Sequence, residues 1–211
     1  GLGDVYKRQV LYHSATSGDP AMPATATSQP FSVVLLAGGR GQRMGGLDKG
    51  LVHWQARPMI AWLHEVVRPL TDDLIISCNR NQQAYGAYAD RLVGDDSADY
   101  PGPLAGIRAA LQVARHPLLL VLPCDAPRVD RALIESLLVL AEDRPVMAQR
   151  DSYWEPLFAV IPRRLLPSLE QAWQVGERST QRWLRAHDPA ALPCEPDDPR
   201  LSNLNSPDLL D

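Results

Sequence analysis

Ser32-Val33-Val34-Leu35-Leu36-Ala37-Gly38-Gly39-Arg40-Gly41-Gln42-Arg43-Met44-Gly45-Gly46-Leu47-Asp48-Lys49-Gly50 joins a short β-branched and leucine run to a loop rich in glycine and basic side chains. A buried strand feeding such a loop brings backbone N–H groups close to phosphates, because glycine lets the main chain approach without a Cβ. Arg40, Arg43 and Lys49 supply cations beside it. The pattern points to a triphosphate site at the end of a central strand. It is not a Walker A loop, which ends in Gly-Lys-Ser/Thr, because Lys49 lies between Asp48 and Gly50. It is not the dinucleotide fingerprint either, since Met44 occupies the third glycine position after Gly39 and Gly41.

Outward from this stretch, strand-like and helix-like patterns alternate. Strands are expected over Ser32–Ala37, Asp73–Cys78, Arg91–Gly94, Pro117–Leu122, Pro145–Ala148 and Leu157–Ile161. Pro117–Leu122 is the most apolar and should be central, covered on both faces. Helical spacing is carried by Pro58–Leu70 and Pro103–Arg115, and by a helix from an Asp130 cap to Ala141. Two more helices are expected, one from near Pro167 to Gly176 and one capped by Ser179. This βαβ succession predicts an α/β domain with a mostly parallel sheet, whose ligands sit beyond the carboxyl ends of the strands.

Three further islands fall at those ends. Pro123-Cys124-Asp125-Ala126-Pro127 follows the most apolar strand, and Asp125 there reads either as a turn or cap aspartate or as a metal ligand. Val93–Gly106 holds Asp95, Asp96 and Asp99 and leads into a helix N-terminus, where free N–H groups favour anions. In Leu201-Ser202-Asn203-Leu204-Asn205-Ser206-Pro207, the two asparagines alternate across Leu204 and share one side of an extended segment. Ser206-Pro207 then starts a last helix, which an asparagine is also suited to cap.

LAGGRGQRMGGLDKGL, ADYPGPLAG, PCDAP and NLNSP, in that order across Ser32 to Leu209, resemble the signatures of the molybdenum cofactor guanylyltransferase family. The resemblance implies a single three-layer domain with a Rossmann-like, mostly parallel sheet of the nucleotide-diphospho-sugar transferase type. It implies GTP and molybdenum-molybdopterin as substrates and Mg²⁺ as cofactor. Molybdopterin-loading and molybdoenzyme-chaperone proteins are the partners it suggests. By the same resemblance Arg43, Lys49 and Asp125 are catalytic. GTP is contacted by Leu36, Ala37, Gly38, Gly39, Gly41, Lys49, Ser77, Asn79, Asp95 and Asp125, and the metal by Asp125 and Asn205. Two positions depart from the family's pattern: Ser206 replaces a threonine, and Ser77 stands where a nucleotide-contacting asparagine is usual. A cytidylyltransferase, a nucleotide-sugar enzyme and a non-catalytic carrier are the alternatives. Ala37-Gly38-Gly39 and Pro123-Cys124-Asp125 favour guanine over cytosine by family analogy.

Composition agrees with an ordinary globular chain: 211 residues, 45% hydrophobic, 22% charged, net charge −4. The acidic balance argues against a nucleic-acid binder. Cys78, Cys124 and Cys194 suggest neither a disulfide framework nor a Cys-x-x-Cys metal site, and fit a reducing cytoplasm. No apolar run approaches the length of a membrane span. Residues 1–30 are rich in Ala, Thr, Ser and Pro and read as a disordered leader, with GLGDVYKRQ resembling a non-native scar; residues 31–211 form the domain. Tyr153-Trp154-Glu155-Pro156 could border the pterin side, although aromatics before a strand, here Tyr153 and Trp154, are expected in the core. The scattered histidines are expected to be structural or exposed.

Overall fold

β1 (Phe31–Leu36) is buried along its whole length, as a run of β-branched and leucine residues demands when both faces are covered. In the computed structural model, which describes residues 29–37, 48–94 and 102–204, β1 lies near the middle of a seven-stranded sheet. A short ribbon follows, β2 (His53–Trp54) with β3 (Arg57–Pro58). Then come α1 (Met59–Val67), β4 (Leu74–Ser77), α2 (Gln82–Gly86), β5 (Arg91–Val93), α3 (Pro103–Val113), β6 (Leu118–Pro123) and α4 (Arg131–Leu140). The chain continues through β7 (Val146–Arg150), β8 (Tyr153–Pro162), α5 (Leu166–Gln174), α6 (Thr180–Arg185) and β9 (Ala190–Cys194). The sheet order is β5-β4-β1-β6-β8-β7-β9, and β8 alone runs against the others.

Alternation along the strands splits the core into two layers. Phe31, Val33 and Leu35 face Ile60 and Leu63 of α1 and Leu133 and Leu137 of α4. Val34 and Leu36 face Leu104 and Ile107 of α3, with Leu169 of α5 and Trp183 of α6 completing that side. This is the three-layer α/β arrangement expected from the sequence. Asp130 and Ser179 cap α4 and α6 as their positions suggested, accepting from the Leu133 and Arg182 amides at 2.8 and 3.2 Å.

Three elements were not foreseen. The β2–β3 ribbon turns on Gln55 and Ala56, both at positive φ, without the Asn-Gly or Asp-Gly that usually signals such a turn. α2 spans only Gln82–Gly86 and carries no apolar period. β9 contains Pro193, which an edge strand tolerates because one side of its backbone needs no partner. The helix expected over Pro58–Leu70 stops as α-helix at Val67 and tightens into a 3₁₀ turn, since Pro69 has no N–H to give.

The amino-terminal edge of the sheet is stapled by Asp73. Its buried carboxylate accepts from Ser32 Oγ at 2.5 Å and the Arg115 amide at 2.9 Å, and pairs with Arg91. Burial alone would raise its pKa, but the Ser32, Arg115 and Arg91 donors together hold it below the usual carboxylate range.

A candidate active site at the carboxyl edge of the sheet

From β1 the chain moves outward to β4 and β5, then returns to the other side of β1 as β6. The strand order therefore reverses between β1 and β6, which is where open α/β sheets form their ligand crevice. The exits are tied together: Ala37 N–H donates to Ser77 C=O at 2.8 Å, Cys124 N–H to Leu36 C=O at 3.1 Å, and Cys78 N–H to Val93 C=O at 2.9 Å. Leu36, Ala37, Ser77, Asn79 and Asp125 consequently share one edge.

The glycine loop re-enters the described structure at Asp48 and forms a 3₁₀ turn over Lys49–Leu51. Asp48 is buried, and its carboxylate accepts from the Tyr85 hydroxyl and from Asn81 Nδ2 at 3.1 Å. Gly50 has no room for a side chain: a Cβ there would lie 2.6 Å from Tyr85 Oη and 3.2 Å from Cys124 Cβ and Sγ. Lys49 is thus held between two fixed neighbours. Its Nζ reaches Asp125 Oδ2 at 3.3 Å, across 76 residues of sequence. Its side chain is 29% exposed while that of Asp125 is 9% exposed, so the pair has one open face and one closed.

Burial pushes the Tyr85 hydroxyl far above its ordinary range, with negative charge on neighbouring groups adding to the effect, so it stays a neutral donor to Asp48. Burial, then the Asp48 charge, raises Cys78 to about 11, and burial, then the Asp125 charge, raises Cys124 well above the ordinary thiol range. Neither thiol is a nucleophile at neutral pH.

Asp125 is fixed from the carboxy-terminal segment as well. Leu204 N–H donates to its carbonyl at 2.8 Å, and Leu204 is buried against Trp54 and Met59. Asn203 Oδ1 is buried with no hydrogen-bond partner among the described residues.

Ser77 is buried, and its Oγ would lie 2.5 Å from a Cβ on Gly106. Gly106 thereby lets α3 settle against the ends of β1 and β4. Asn79 Oδ1 sits 3.2 Å from the corresponding point on Gly94, at the base of the acidic loop. Gly38, Gly39, Gly41, Arg43, Asp95 and Asn205 lie outside the described residues, as do Asp96, Asp99 and the helix expected from Ser206.

Tyr153 departs from expectation: it is 74% exposed, because β8 runs past the end of β6 and beyond the covered part of the sheet. Trp154 is half-buried and packs on the α3 side. Among the described residues the histidines take structural or surface places, with His116 on Asp72 and His187 on Ser168, and His13 lies outside them. Sequence reasoning missed Asp48, Asn81 and Tyr85 as supports of the site. A tyrosine in a five-residue polar helix gives no signal that it reaches a glycine loop.

Among the described residues no three His, Cys, Asp or Glu side chains cluster so as to hold a metal ion. No helix among them is long and apolar enough to cross a membrane. Among the described residues the arrangement offers a cation beside a buried carboxylate and no activated nucleophile. Such a site suits charge neutralisation in phosphoryl or nucleotidyl transfer.

Residues 33–191 match the MobA-like NTP transferase domain. A molybdenum cofactor guanylyltransferase of Ectopseudomonas mendocina is 60% identical over 189 residues, covering 90% of this chain and 94% of the relative. One from Pseudomonas aeruginosa is 61% identical over 192 residues, with 90% and 96% covered. Among solved structures, a molybdopterin-guanine dinucleotide biosynthesis protein A from Archaeoglobus fulgidus aligns with TM-score 0.68 and 26% identity, over 85% of this chain and 94% of that one. A 2-C-methyl-D-erythritol 4-phosphate cytidylyltransferase from Thermus thermophilus shares the fold, with TM-score 0.65 at 15% identity over 86% and 95%.

Proposed function

The chain belongs to the MobA-like NTP transferase family and is a nucleotidyltransferase, and from that premise we propose that it transfers GMP from GTP to the terminal phosphate of molybdenum-molybdopterin, forming the guanine dinucleotide cofactor and pyrophosphate. The carrying observation is the approach of Lys49 to Asp125 at 3.3 Å, which unites the loop after β1 with the turn after β6 at the switch point. The guanylyltransferase relatives at 60 and 61% identity support guanine and molybdopterin as the substrates.

In such a transfer the protein positions groups and neutralises charge. The acceptor phosphate is ionised near neutral pH, so its in-line attack on the α-phosphorus needs no side-chain base. A new P–O bond forms as the bond to the bridging oxygen breaks and pyrophosphate leaves. Lys49 holds negative charge on the triphosphate, with Arg43 and the amides of Gly38, Gly39 and Gly41 in the same role. Leu36 and Ala37 border the nucleoside, and Ser77, Asn79 and Asp95 lie along it. Asp125 and Asn205 would hold Mg²⁺ together with phosphate oxygens; one carboxylate and one amide suit a cation that prefers hard oxygen ligands and keeps substrate in its shell. When bound, Mg²⁺ supplies charge neutralisation at the α-phosphate and leaving group. The setting is the cytoplasm, where molybdopterin-loading and molybdoenzyme-chaperone proteins would deliver and collect the cofactor.

Pyrophosphate release with each of GTP, CTP, ATP and UTP, in the presence of molybdenum-molybdopterin, tests the reading. GTP should exceed the others by at least tenfold. Equal or faster release with CTP, or release only when a sugar phosphate is the acceptor, overturns it.

A further inference from the structure

Beside the Asp125 turn lies a second opening of about 410 Å³, lined among others by Arg128, Arg150, Glu155, Asn203 and Leu204. That volume falls within the range of small-molecule sites, roughly 300–1,000 Å³. Its walls come from three places that the topology brings to one edge. Arg128 follows Asp125 by three residues, Arg150 ends β7, which runs parallel to β6, and Leu204 is hydrogen-bonded to the Asp125 carbonyl.

Glu155 reaches this opening through a break in the β7–β8 ladder. Met147 pairs with Ala159 but Ala148 pairs with Glu155, so Pro156, Leu157 and Phe158 bulge out of β8. Pro156 cannot donate to a ladder, and bulges of this kind re-aim side chains beside active sites. The Arg150 guanidinium binds Glu155 with two N–H groups, one at 2.8 Å, and both fall on Oε1. Among the described residues no donor reaches Oε2. The guanidinium therefore orients the carboxylate and leaves one oxygen to accept. Asn203 adds a buried oxygen without a partner among the described residues, and a buried polar atom of that kind is costly unless something completes it. Arg128 lies over the Trp54 ring at 5.3 Å and makes no ion pair among the described residues.

The opening thus presents an oriented carboxylate oxygen, an unsatisfied amide oxygen and an uncompensated cation, next to the carboxylate assigned to the reaction. Adjacent N–H donors on a flat heterocycle, joined to a phosphate, complement that set. Resting on the function proposed above, we propose that this opening holds the acceptor: Glu155 and Asn203 bind the amino and ring N–H edge of the pterin, and Arg128 attracts its phosphate toward Asp125.

The test uses the full chain and metal-free molybdopterin, with Glu155→Gln and Arg128→Gln beside the wild type. Binding of the metal-free molybdopterin is followed by quenching of pterin fluorescence, GTP binding by calorimetry, and turnover by pyrophosphate release with molybdenum-molybdopterin as acceptor. Each variant should weaken molybdopterin binding and raise its KM at least tenfold, with GTP affinity and kcat at saturating acceptor changed less than threefold. Unchanged molybdopterin affinity in both variants, or a parallel loss of GTP affinity, overturns the assignment. A wild type that binds molybdopterin with this dependence on Glu155 and Arg128, yet releases no pyrophosphate from GTP, overturns the function and leaves the binding site standing.

Discussion

Lys49 and Asp125 are brought together by the neighbours that pack around each of them. Asp48 is anchored by Tyr85 and Asn81, Gly50 is pressed against Tyr85 and Cys124, and Leu204 holds the Asp125 carbonyl. Lys49→Ala removes a charge-assisted contact worth roughly 1.5–3 kcal/mol, so GTP affinity or turnover should fall by about one to two orders of magnitude. An unchanged GTP dissociation constant and rate would make it a solvated loop lysine. Gly50→Ala places a methyl group 2.6 Å from Tyr85 Oη and should cut turnover at least tenfold, by displacing Lys49, while the chain still unfolds cooperatively. Full activity in the purified variant would show that the turn does not position Lys49. Tyr85→Phe strips a donor from a buried carboxylate, at a stability cost of about 1–3 kcal/mol read from denaturant unfolding. A smaller change would mean Asp48 is satisfied by other groups.

Elements with strong periodicity were legible, and elements defined by contact were not. β1, β6, α3 and α4 follow from apolar patterns that any burial against a sheet would require. The β2–β3 ribbon, α2 and β9 are two to five residues long and take their stability from what they touch, so their composition carries little signal. At the site, the glycine loop, Asp125 and the asparagine pair stand out in sequence, whereas Tyr85 and the Pro156 bulge matter only through distant partners. The Asp73 staple belongs to this scale because it joins β1, β5 and the chain after α3. Its depressed pKa means that its contribution is present above its unfolded value of about 3.8 and is lost as pH falls through the lower native value. Asp73→Asn should cost roughly 1–3 kcal/mol at pH 7, the range for taking a charged acceptor from buried donors. The gap from wild type in unfolding free energy should narrow as pH falls below about 4; a gap independent of pH would contradict the linkage.

Across the whole molecule, the sheet separates structure from chemistry. Its amino edge is sealed by Asp73, while its carboxyl edge gathers the glycine-loop lysine, the aspartate after β6 and the carboxy-terminal segment around one crevice. In the proposed reaction this crevice transfers GMP with Asp125 at its centre. The most direct test follows GTP labelled at the α-phosphate, with molybdenum-molybdopterin as acceptor, in the wild type and in Asp125→Asn. Wild type should move label into the guanine dinucleotide cofactor, one for each pyrophosphate released. Asp125→Asn should do so at least a hundredfold more slowly, with cooperative unfolding retained. Label remaining in GTP with the wild type, or moving at the wild-type rate in Asp125→Asn, would contradict the proposed reaction.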